Sequence, residues 1–368
     1  MEINIDQSKL AKALAIVSKV ATSSKGTLPI LNNVLIKAIN NKVTLTTTNL
    51  DMAIVEYLPT SSKKNGEVTV PARLLADFVA NLPKGEVKIL IDGIKVTIAS
   101  GKYKSTINGV DAADFPELPE LNEKKAVIYK LPVDIFKEGM GAVKIAASND
   151  TTRPALTGVY FNTFDNNLYI AATDGYRLAE KKLISDVKSE VKVIVPASTI
   201  SEVLSSISEE TEEVEVLFDE SQVCFRMNEI EITSKYIDAS FPDYKKLIPE
   251  KNEVEIELNK DEILRVTKLA ALFAREVGGS IILETSAEKN ELLVSSVANE
   301  FGENTSEIEV DVDKDAKVIL NSRFLLDALN VLNSNKIKLG ISGNLQPIKI
   351  EENNKKTDYI HIVMPLKG

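Results

Sequence analysis

The chain has 368 residues, of which 44% are hydrophobic and 27% charged, and its net charge is −10. This length allows two or three domains, and the acidic charge excludes a protein that coats nucleic acid with its whole surface, though not one with a single basic face. No run of about 18 apolar residues occurs, and the N-terminal MEINIDQSK lacks a basic region followed by an apolar stretch, so we expect no membrane span, no secretory signal and a cytoplasmic protein.

The sequence contains three copies of one pattern, spaced about 125 residues apart. The segment Leu28–Ile36 (LPILNNVLI) returns as Arg153–Phe161 (RPALTGVYF), and Pro71-Ala72 returns as Pro196-Ala197. The same spacing separates the polar residues that close an apolar run in each copy: Asn49, Asp174 and Asn299. Solenoid repeats are shorter, roughly 20–50 residues. We therefore predict three tandem domains, at residues 1-122, 126-248 and 252-368.

Each copy is predicted to open with an amphipathic helix. In the first copy Asp6-Gln7-Ser8 provides a helix cap, and apolar residues follow at helical spacing: Leu10, Ala13, Leu14 and Val17. The equivalent helices are expected at about 133–147 and 260–275. The core face of the third is predicted to hold Ile263, Leu264, Val266 and Leu269.

Two strands, a second helix and a hairpin complete each copy. The second helix is expected after Pro71, Pro196 and Asn321, and in the first copy it covers 72–81 with four residues inward: Leu74, Leu75, Phe78 and Val79. Asp92-Gly93 predicts a tight hairpin turn, because this dipeptide readily takes positive φ angles. The fold class is therefore α+β, with two helices and roughly six to eight strands in each copy, and linkers near 119–125 and 249–253.

The side chains that most enzymes use are scarce. His361 is the only histidine, so a histidine triad or a multi-histidine metal site cannot be built. Cys224 lies in a predicted strand, where a buried inert thiol is the expected state. No glycine-rich phosphate loop occurs, and the carboxylates form no obvious pair. We predict no catalytic residues, no metal and no cofactor.

Two patterns point to binding. The string Thr173–Leu178 (TDGYRL) reads either as a plain turn or as an exposed hot spot, since it joins an aromatic, a guanidinium and an aliphatic side chain. The first helices of the three copies carry basic residues on corresponding faces, among them Lys12, Lys137 and Arg265. One such stripe is usually a solvated face, but three equivalent stripes in an acidic chain indicate a surface for a polyanion.

The chain resembles the bacterial DNA polymerase III beta-subunit family, the sliding clamps. The resemblance rests on the triplication and on six strings in order: LPILNNVLI, VPAR, RPALTGVYF, AATDGYRLAEKK, SFPDYKKLIP and HIVMPLKG. It implies three tandem clamp modules, each with two helices on antiparallel sheet, that close as a head-to-tail dimeric ring around double-stranded DNA without sequence preference. The implied role is a non-catalytic processivity subunit of the polymerase III holoenzyme.

The resemblance also implies partners and site residues. The partners are a clamp-loader ATPase, the replicative DNA polymerase and other proteins that carry short hydrophobic clamp-binding motifs. The implied peptide pocket consists of Arg153, Leu156, Thr173, Gly175, Tyr176, Arg177, Leu178, Pro242, Lys246, Leu247, Asn321, Phe324, Pro347, Val363, Met364, Pro365 and Leu366. Implied DNA contacts, besides the basic stripes, are Lys25, Arg73 and Asn149. The implied dimer contact has Leu272 and Phe273 at its centre and Arg73, Glu300, Glu303 and Glu307 at its rim.

Two alternatives stay open at this point. An enzyme with a carboxylate site in a cleft would show clustered acids in three dimensions. A peptide-binding scaffold with no role on DNA would tolerate charge reversal of the basic stripes. Met364 and Leu366 also have a second reading, independent of these two: the end of a strand packed in its own core, with no part in a pocket.

Overall fold

A computed structural model describes residues 1–23, 28–60, 62, 64–118, 121–298, 302–353 and 358–367. Its contacts divide the chain into two compact units. The first unit combines Met1–Val133 with Ser201–Tyr236, and the second combines Asp134–Ile200 with Ile237–Gly368. The middle third of the sequence thus contributes to both units.

Within the described residues, each third of the chain holds two α-helices and eight strands, as predicted. The first third contains β1 (Glu2–Asp6), α1 (Gln7–Ser23), β2 (Asn33–Ile39), β3 (Lys42–Thr48), β4 (Met52–Leu58), β5 (Gly66–Pro71), α2 (Ala72–Ala80), β6 (Glu86–Asp92), β7 (Lys95–Ser100) and β8 (Tyr103–Asn108). The second contains β9 (Val127–Pro132), α3 (Val133–Lys144), β10 (Gly158–Phe164), β11 (Asn167–Thr173), β12 (Arg177–Ile184), β13 (Lys192–Pro196), α4 (Ala197–Ser206), β14 (Glu213–Phe218), β15 (Gln222–Met227) and β16 (Ile230–Lys235). The last contains β17 (Val254–Asn259), α5 (Lys260–Phe273), β18 (Ser280–Ser286), β19 (Glu291–Ala298), β20 (Gly302–Glu309), β21 (Ala316–Asn321), α6 (Ser322–Val331), β22 (Lys336–Ile341), β23 (Ile348–Glu352) and β24 (Tyr359–Val363).

The first unit contains an eight-stranded antiparallel sheet, β5-β2-β3-β4-β16-β15-β14-β9, and a four-stranded sheet, β1-β6-β7-β8. Helix α1 begins at a cap in which the Asp6 carboxylate accepts bonds from the amides of Ser8 and Lys9. Its apolar stripe is buried as predicted. The helix is also fixed to the sheet, because the Thr47 hydroxyl donates 2.7 Å to the carbonyl of Val17.

The second unit repeats this plan. Its eight-stranded sheet runs β13-β10-β11-β12-β24-β23-β22-β17, and its four-stranded sheet runs β20-β19-β18-β21. Helix α5 packs on β19 and β20, and the Ser296 hydroxyl donates 2.8 Å to the carbonyl of Ala270, as Thr47 does to Val17. Helices α1 and α5 are therefore fixed to antiparallel sheet in the same way.

Each eight-stranded sheet consists of two groups of four strands, and the two groups pair through equivalent strands in both units. In the first unit β4 pairs with β16, and Ile232 lies opposite Ile54. In the second unit β12 pairs with β24, and Leu178 lies opposite Ile362. Each junction thus unites four strands from one third of the sequence with four from another. Among the described residues, the two four-stranded sheets lack such a junction, and β8 and β20 are edge strands.

Three local predictions are wrong. Leu74 on α2 and Leu269 on α5 were expected in the core, but both are exposed. The hairpin turn consists of Gly93 and Ile94 rather than Asp92-Gly93, since Asp92 pairs with Lys95 across the hairpin. Gly93 supplies the positive φ of +55° that this turn needs.

Candidate functional site

The turn between β11 and β12 is held together by the Asp174 side chain. One carboxylate oxygen accepts bonds from the amides of Tyr176 and Arg177, at 2.9 and 3.0 Å. The Thr173 hydroxyl donates 2.6 Å to the Arg177 carbonyl and accepts from the amide of Gly175, whose φ is +91°. The turn therefore has one defined shape, and it leaves the Tyr176 ring exposed.

The Arg177 guanidinium is occupied within the second unit. Its Nε lies 3.0 Å from Asp174, its Nη1 lies 2.6 Å from Asp327, and its plane covers the ring of Phe324 at 4.6 Å. The side chain is 9% exposed. Arg177 is therefore not a free anchor at the rim of a pocket, and its role is to join the 173–178 turn to α6.

The C-terminal segment lies alongside this turn. The Met364 amide donates 2.8 Å to the carbonyl of Tyr176, and the Leu366 amide donates 2.8 Å to the carbonyl of Ile319. Because Val363 pairs with both Arg177 and Ile348, Pro347 lies one residue from this pairing. Met364, Pro365 and Leu366 are half-buried beside the turn.

The 241–248 segment packs on the same eight-stranded sheet. Tyr160 stacks on Phe241 with ring centroids 4.6 Å apart, and Tyr244 packs edge-on against both rings. Tyr244 belongs to a buried cluster with Leu178, Ala171 and Ile362. Lys246 and Leu247, which follow Tyr244, are exposed at the surface.

The predicted pocket residues therefore fall into three groups, all in the second unit. The exposed residues are Arg153, Gly175, Tyr176, Pro242, Lys246 and Leu247, and the half-buried residues are Leu156, Asn321, Phe324, Pro347, Met364, Pro365 and Leu366. Thr173, Arg177, Leu178 and Val363 are buried and lie beneath this surface. Aromatic and aliphatic side chains next to exposed cations suit a short peptide with apolar residues.

Arg153 is the exposed guanidinium of this surface. Its Nε lies 3.3 Å from the Asp150 carboxylate, and its Nη2 lies 3.5 Å from the Asp174 carbonyl. The Thr152 hydroxyl and the Thr152 amide both donate to the Asp150 carboxylate, and these bonds lower the pKa of that carboxyl. Arg153 is thus oriented towards the 173–178 turn while it stays accessible.

The basic residues lie where the helical pattern predicts. Lys12 on α1, Lys137 on α3 and Arg265 on α5 are all exposed, each on the face opposite its helix's buried stripe. Arg73 is exposed at the start of α2 and lies 3.8 Å from Asp77, and Asn149 is exposed after α3. Lys25, Asn299 and Glu300 lie outside the described residues.

The predicted dimer residues lie on α5 and β20. Leu272 is exposed and Phe273 is half-buried, next to the exposed Leu269. Glu303 and Glu307 are exposed on β20. An apolar helix face beside an acidic edge strand is thus available on the second unit.

The side chains of Cys224 and His361 are both buried. Among the described residues, no group of three or more histidine, cysteine, aspartate or glutamate side chains is arranged to hold a metal ion. Burial raises the pKa of the Cys224 thiol to about 11. Burial likewise lowers the pKa of His361 to about 3, and Arg177 adds to this effect. In the same ranges, no helix is long and apolar enough to cross a membrane.

The sequence reasoning missed Asp327 and the partners of Lys245. Asp327 lies one helical turn after Phe324 on α6, a spacing that places both on one face and would have suggested a shared target. Lys245 lies over aromatic rings from β10 and β11. No sequence signal distinguishes it from Lys246.

Three family models match consecutive parts of the chain. They describe the DNA polymerase III beta subunit: its N-terminal domain over residues 1–119, its central domain over 130–243 and its C-terminal domain over 245–367. A curated relative, the beta sliding clamp of Staphylococcus epidermidis, is 31% identical over 361 residues, 94% of each chain.

Solved structures are similar over the whole chain. The DNA polymerase sliding clamp of Bacillus subtilis has a TM-score of 0.94 and 27% identity, covering 100% of this chain and 99% of its own. A sliding clamp of Bartonella birtlesii, solved bound to griselimycin, has a TM-score of 0.92 and 28% identity, with 100% of both chains covered. The chain therefore belongs to the DNA polymerase III beta-subunit family, the sliding clamps that give replicative DNA polymerases their processivity.

Proposed function

We propose that two copies of this chain close head to tail into a ring that encircles duplex DNA. The ring tethers its partners through the peptide pocket of the second unit, the surface that includes Tyr176 and Leu247. The partners are the replicative polymerase and other proteins with short apolar motifs, and a clamp-loader ATPase opens the ring in the cytoplasm. The unfinished four-stranded sheets carry this proposal, because their edge strands β8 and β20 correspond to strands that are paired within the chain.

The pairing of β8 with β20 follows from the first-unit junction. Strand β20 corresponds to β4, and β8 corresponds to β16. Carrying over the register of β4 and β16 pairs Lys104 with Thr305, Tyr103 with Ser306, and sets Lys102 opposite Glu307. Lys104 and Thr305 are both exposed, whereas Ile107 and Ile308 are buried. The register therefore keeps matching faces together and places one basic residue, Lys102, opposite one acidic residue, Glu307.

The helices beside this junction support the same contact. Within the first unit, α1 meets α4 through the Lys19 ammonium, which donates 3.0 Å to the Ser205 hydroxyl and lies 3.6 Å from Glu202. The equivalent helices at the proposed seam are α5 and α2 of the partner copy. They present Leu269, Leu272 and Leu74, which are all exposed in one chain. Exposed apolar side chains on both sides of the proposed interface favour association of two copies.

The basic helix faces suit sliding on DNA. Long lysine and arginine side chains contact phosphates without reading bases, and the acidic remainder of the chain limits the strength of the contact. Lys12, Lys137 and Arg265 are exposed on corresponding faces of α1, α3 and α5, so a ring would present them repeatedly towards the DNA. Sequence-independent and mobile contact is the expected result.

A charge exchange tests the seam. Lys102→Glu and Glu307→Lys should each raise the proportion of monomer in sedimentation velocity, because each places like charges together at both seams. Mixing the two variants should restore the dimer, since each mixed seam regains one opposite pair. Lys42→Glu, on the exposed end of β3, is the matched control. If the mixture dimerises no better than either variant alone, the proposed register is wrong.

A labelled peptide tests the pocket. A short fluorescein-labelled peptide that ends in Leu-Phe should bind the wild-type chain in fluorescence anisotropy, and griselimycin should compete for the same surface. Leu247→Ala should weaken binding several-fold, whereas Leu90→Ala, an exposed leucine on β6, should not. Equal effects of these two substitutions would refute the assignment of the pocket.

A further inference from the structure

Lys245 lies in an aromatic cage on the second unit. Its ammonium is 4.0 Å from the ring centroid of Tyr169, 5.3 Å from that of Phe164 and 5.5 Å from that of Tyr244. The same nitrogen lies 2.5 Å from a carboxylate oxygen of Glu180. Three ring faces and one carboxylate around a single ammonium favour one position for this side chain.

The Glu180 carboxylate makes this contact hard to replace. Its side chain is 5% exposed on β12, between Ala171 on β11 and Ile360 on β24. A buried carboxylate is costly unless it is paired, and removal of one member of a buried pair leaves the other charge without compensation. Lys245 therefore has a strong reason to remain at this position.

The position of Lys245 determines that of the surface residues that follow it. Tyr244, Lys245, Lys246 and Leu247 form one short helical turn, and the Ile248 amide donates 3.3 Å to the Lys245 carbonyl. Lys246 lies 2.6 Å from the exposed Asp243, and Leu247 is exposed. Among the charged side chains of this turn, Lys245 is thus the one directed into the sheet.

We propose that Lys245 is a positioning residue of the peptide pocket: without touching the peptide, it holds Leu247 and Lys246 at the height and angle at which an apolar peptide meets them. This inference rests on the proposed function of the pocket. Tyr244 extends the connection, since it packs on Leu178 beneath the 173–178 turn. The cage thereby joins both walls of the pocket to one sheet.

Three variants separate positioning from stability. Lys245→Met keeps the length of the side chain but removes its charge, and Lys245→Arg keeps the charge and the stacking on the rings. The double variant Lys245→Met with Glu180→Met removes the whole ion pair and fills the site with apolar atoms, an exchange that buried pairs often tolerate. Lys246→Met is the matched control for loss of one neighbouring charge.

The readouts are anisotropy with the Leu-Phe peptide, sedimentation for the dimer, thermal melting, and amide hydrogen exchange over residues 244–248. Lys245→Met should weaken the peptide about tenfold and speed exchange in this segment, with the dimer unchanged. Lys245→Arg should bind within about threefold of wild type. The double variant should melt like wild type but still bind weakly, because the tether is gone.

Several results would overturn the proposal. If the double variant regains both stability and affinity, Lys245 acts through stability alone. If Lys245→Met binds like wild type while Leu247→Ala binds weakly, the pocket stands and the positioning role is refuted. If the wild-type chain does not bind the peptide at all, the pocket fails and this inference fails with it.

Discussion

Leu272 offers a quantitative test of the seam. Its side chain is 56% exposed on α5, and Leu74, on the helix that would face it, is 53% exposed. Full burial of a leucine is worth about 2 kcal/mol, so covering the exposed half contributes about 1 kcal/mol. A closed ring of two chains contains the seam twice, and Leu272→Ala should therefore weaken the dimer by about 2 kcal/mol.

This loss corresponds to a rise of roughly 30-fold in the dimer dissociation constant. Sedimentation velocity over a dilution series should show the change as a shift from a dimer of about twice 40.3 kDa towards the 40.3 kDa chain. The midpoint of thermal unfolding of the monomer should stay close to that of wild type, because an exposed leucine contributes little within one chain.

Leu345→Ala provides the control, since Leu345 is 63% exposed but lies in the β22–β23 connection, away from the proposed seam. It should dimerise like wild type. If Leu272→Ala leaves the dissociation constant unchanged, or if both substitutions raise it equally, the assignment of α5 to the seam is refuted.

Three further predictions concern titration and DNA. Burial raises the pKa of Glu56 from 4.5 to about 7, against the opposing effect of Lys12, so ionisation of Glu56 disfavours the folded state as the pH rises through this range. In urea titrations, Glu56→Gln should raise the free energy of unfolding by about 1 kcal/mol at about pH 8 but not at about pH 4. The pKa of His361 is lowered to about 3 in the folded protein, whereas the unfolded chain binds the proton at about 6.5. The folded protein should therefore lose about 1.4 kcal/mol of stability at about pH 5.5, and His361→Gln should abolish this loss. Charge reversal of Lys12, Lys137 and Arg265 together should shorten polymerase products in primer extension, whereas reversal of three exposed lysines elsewhere should not: Lys42, Lys84 and Lys314.

The sequence predicts the regular elements well because their signals are local. Strands β5, β13 and β21 end at Pro71, Pro196 and Asn321, and a helix begins at the next residue in each case, as expected. The buried stripe of α1 follows from its 3.6-residue period. Leu74 and Leu269 show the limit of this reasoning, since a periodic apolar residue looks the same whether its own core or another surface covers it.

The site is less predictable because its contacts join distant residues. Asp327 binds Arg177 across 150 positions of the sequence, and Glu180 binds Lys245 across 65. Lys245 and Lys246 are adjacent and chemically identical, yet one is caged and the other is exposed. The resemblance to clamps supplied the surface residues, whereas only the fold distinguishes those that can touch a partner from those that support it.

The central claim is that the protein holds DNA by enclosing it. The direct measurement loads the labelled wild-type dimer onto a nicked circular DNA with a clamp loader and ATP, then follows retention at high salt before and after the circle is cut once. The account predicts that the protein stays on the circle, since salt weakens phosphate contacts but not enclosure, and that it leaves within minutes of cutting. Equal loss from circular and linear DNA would contradict it.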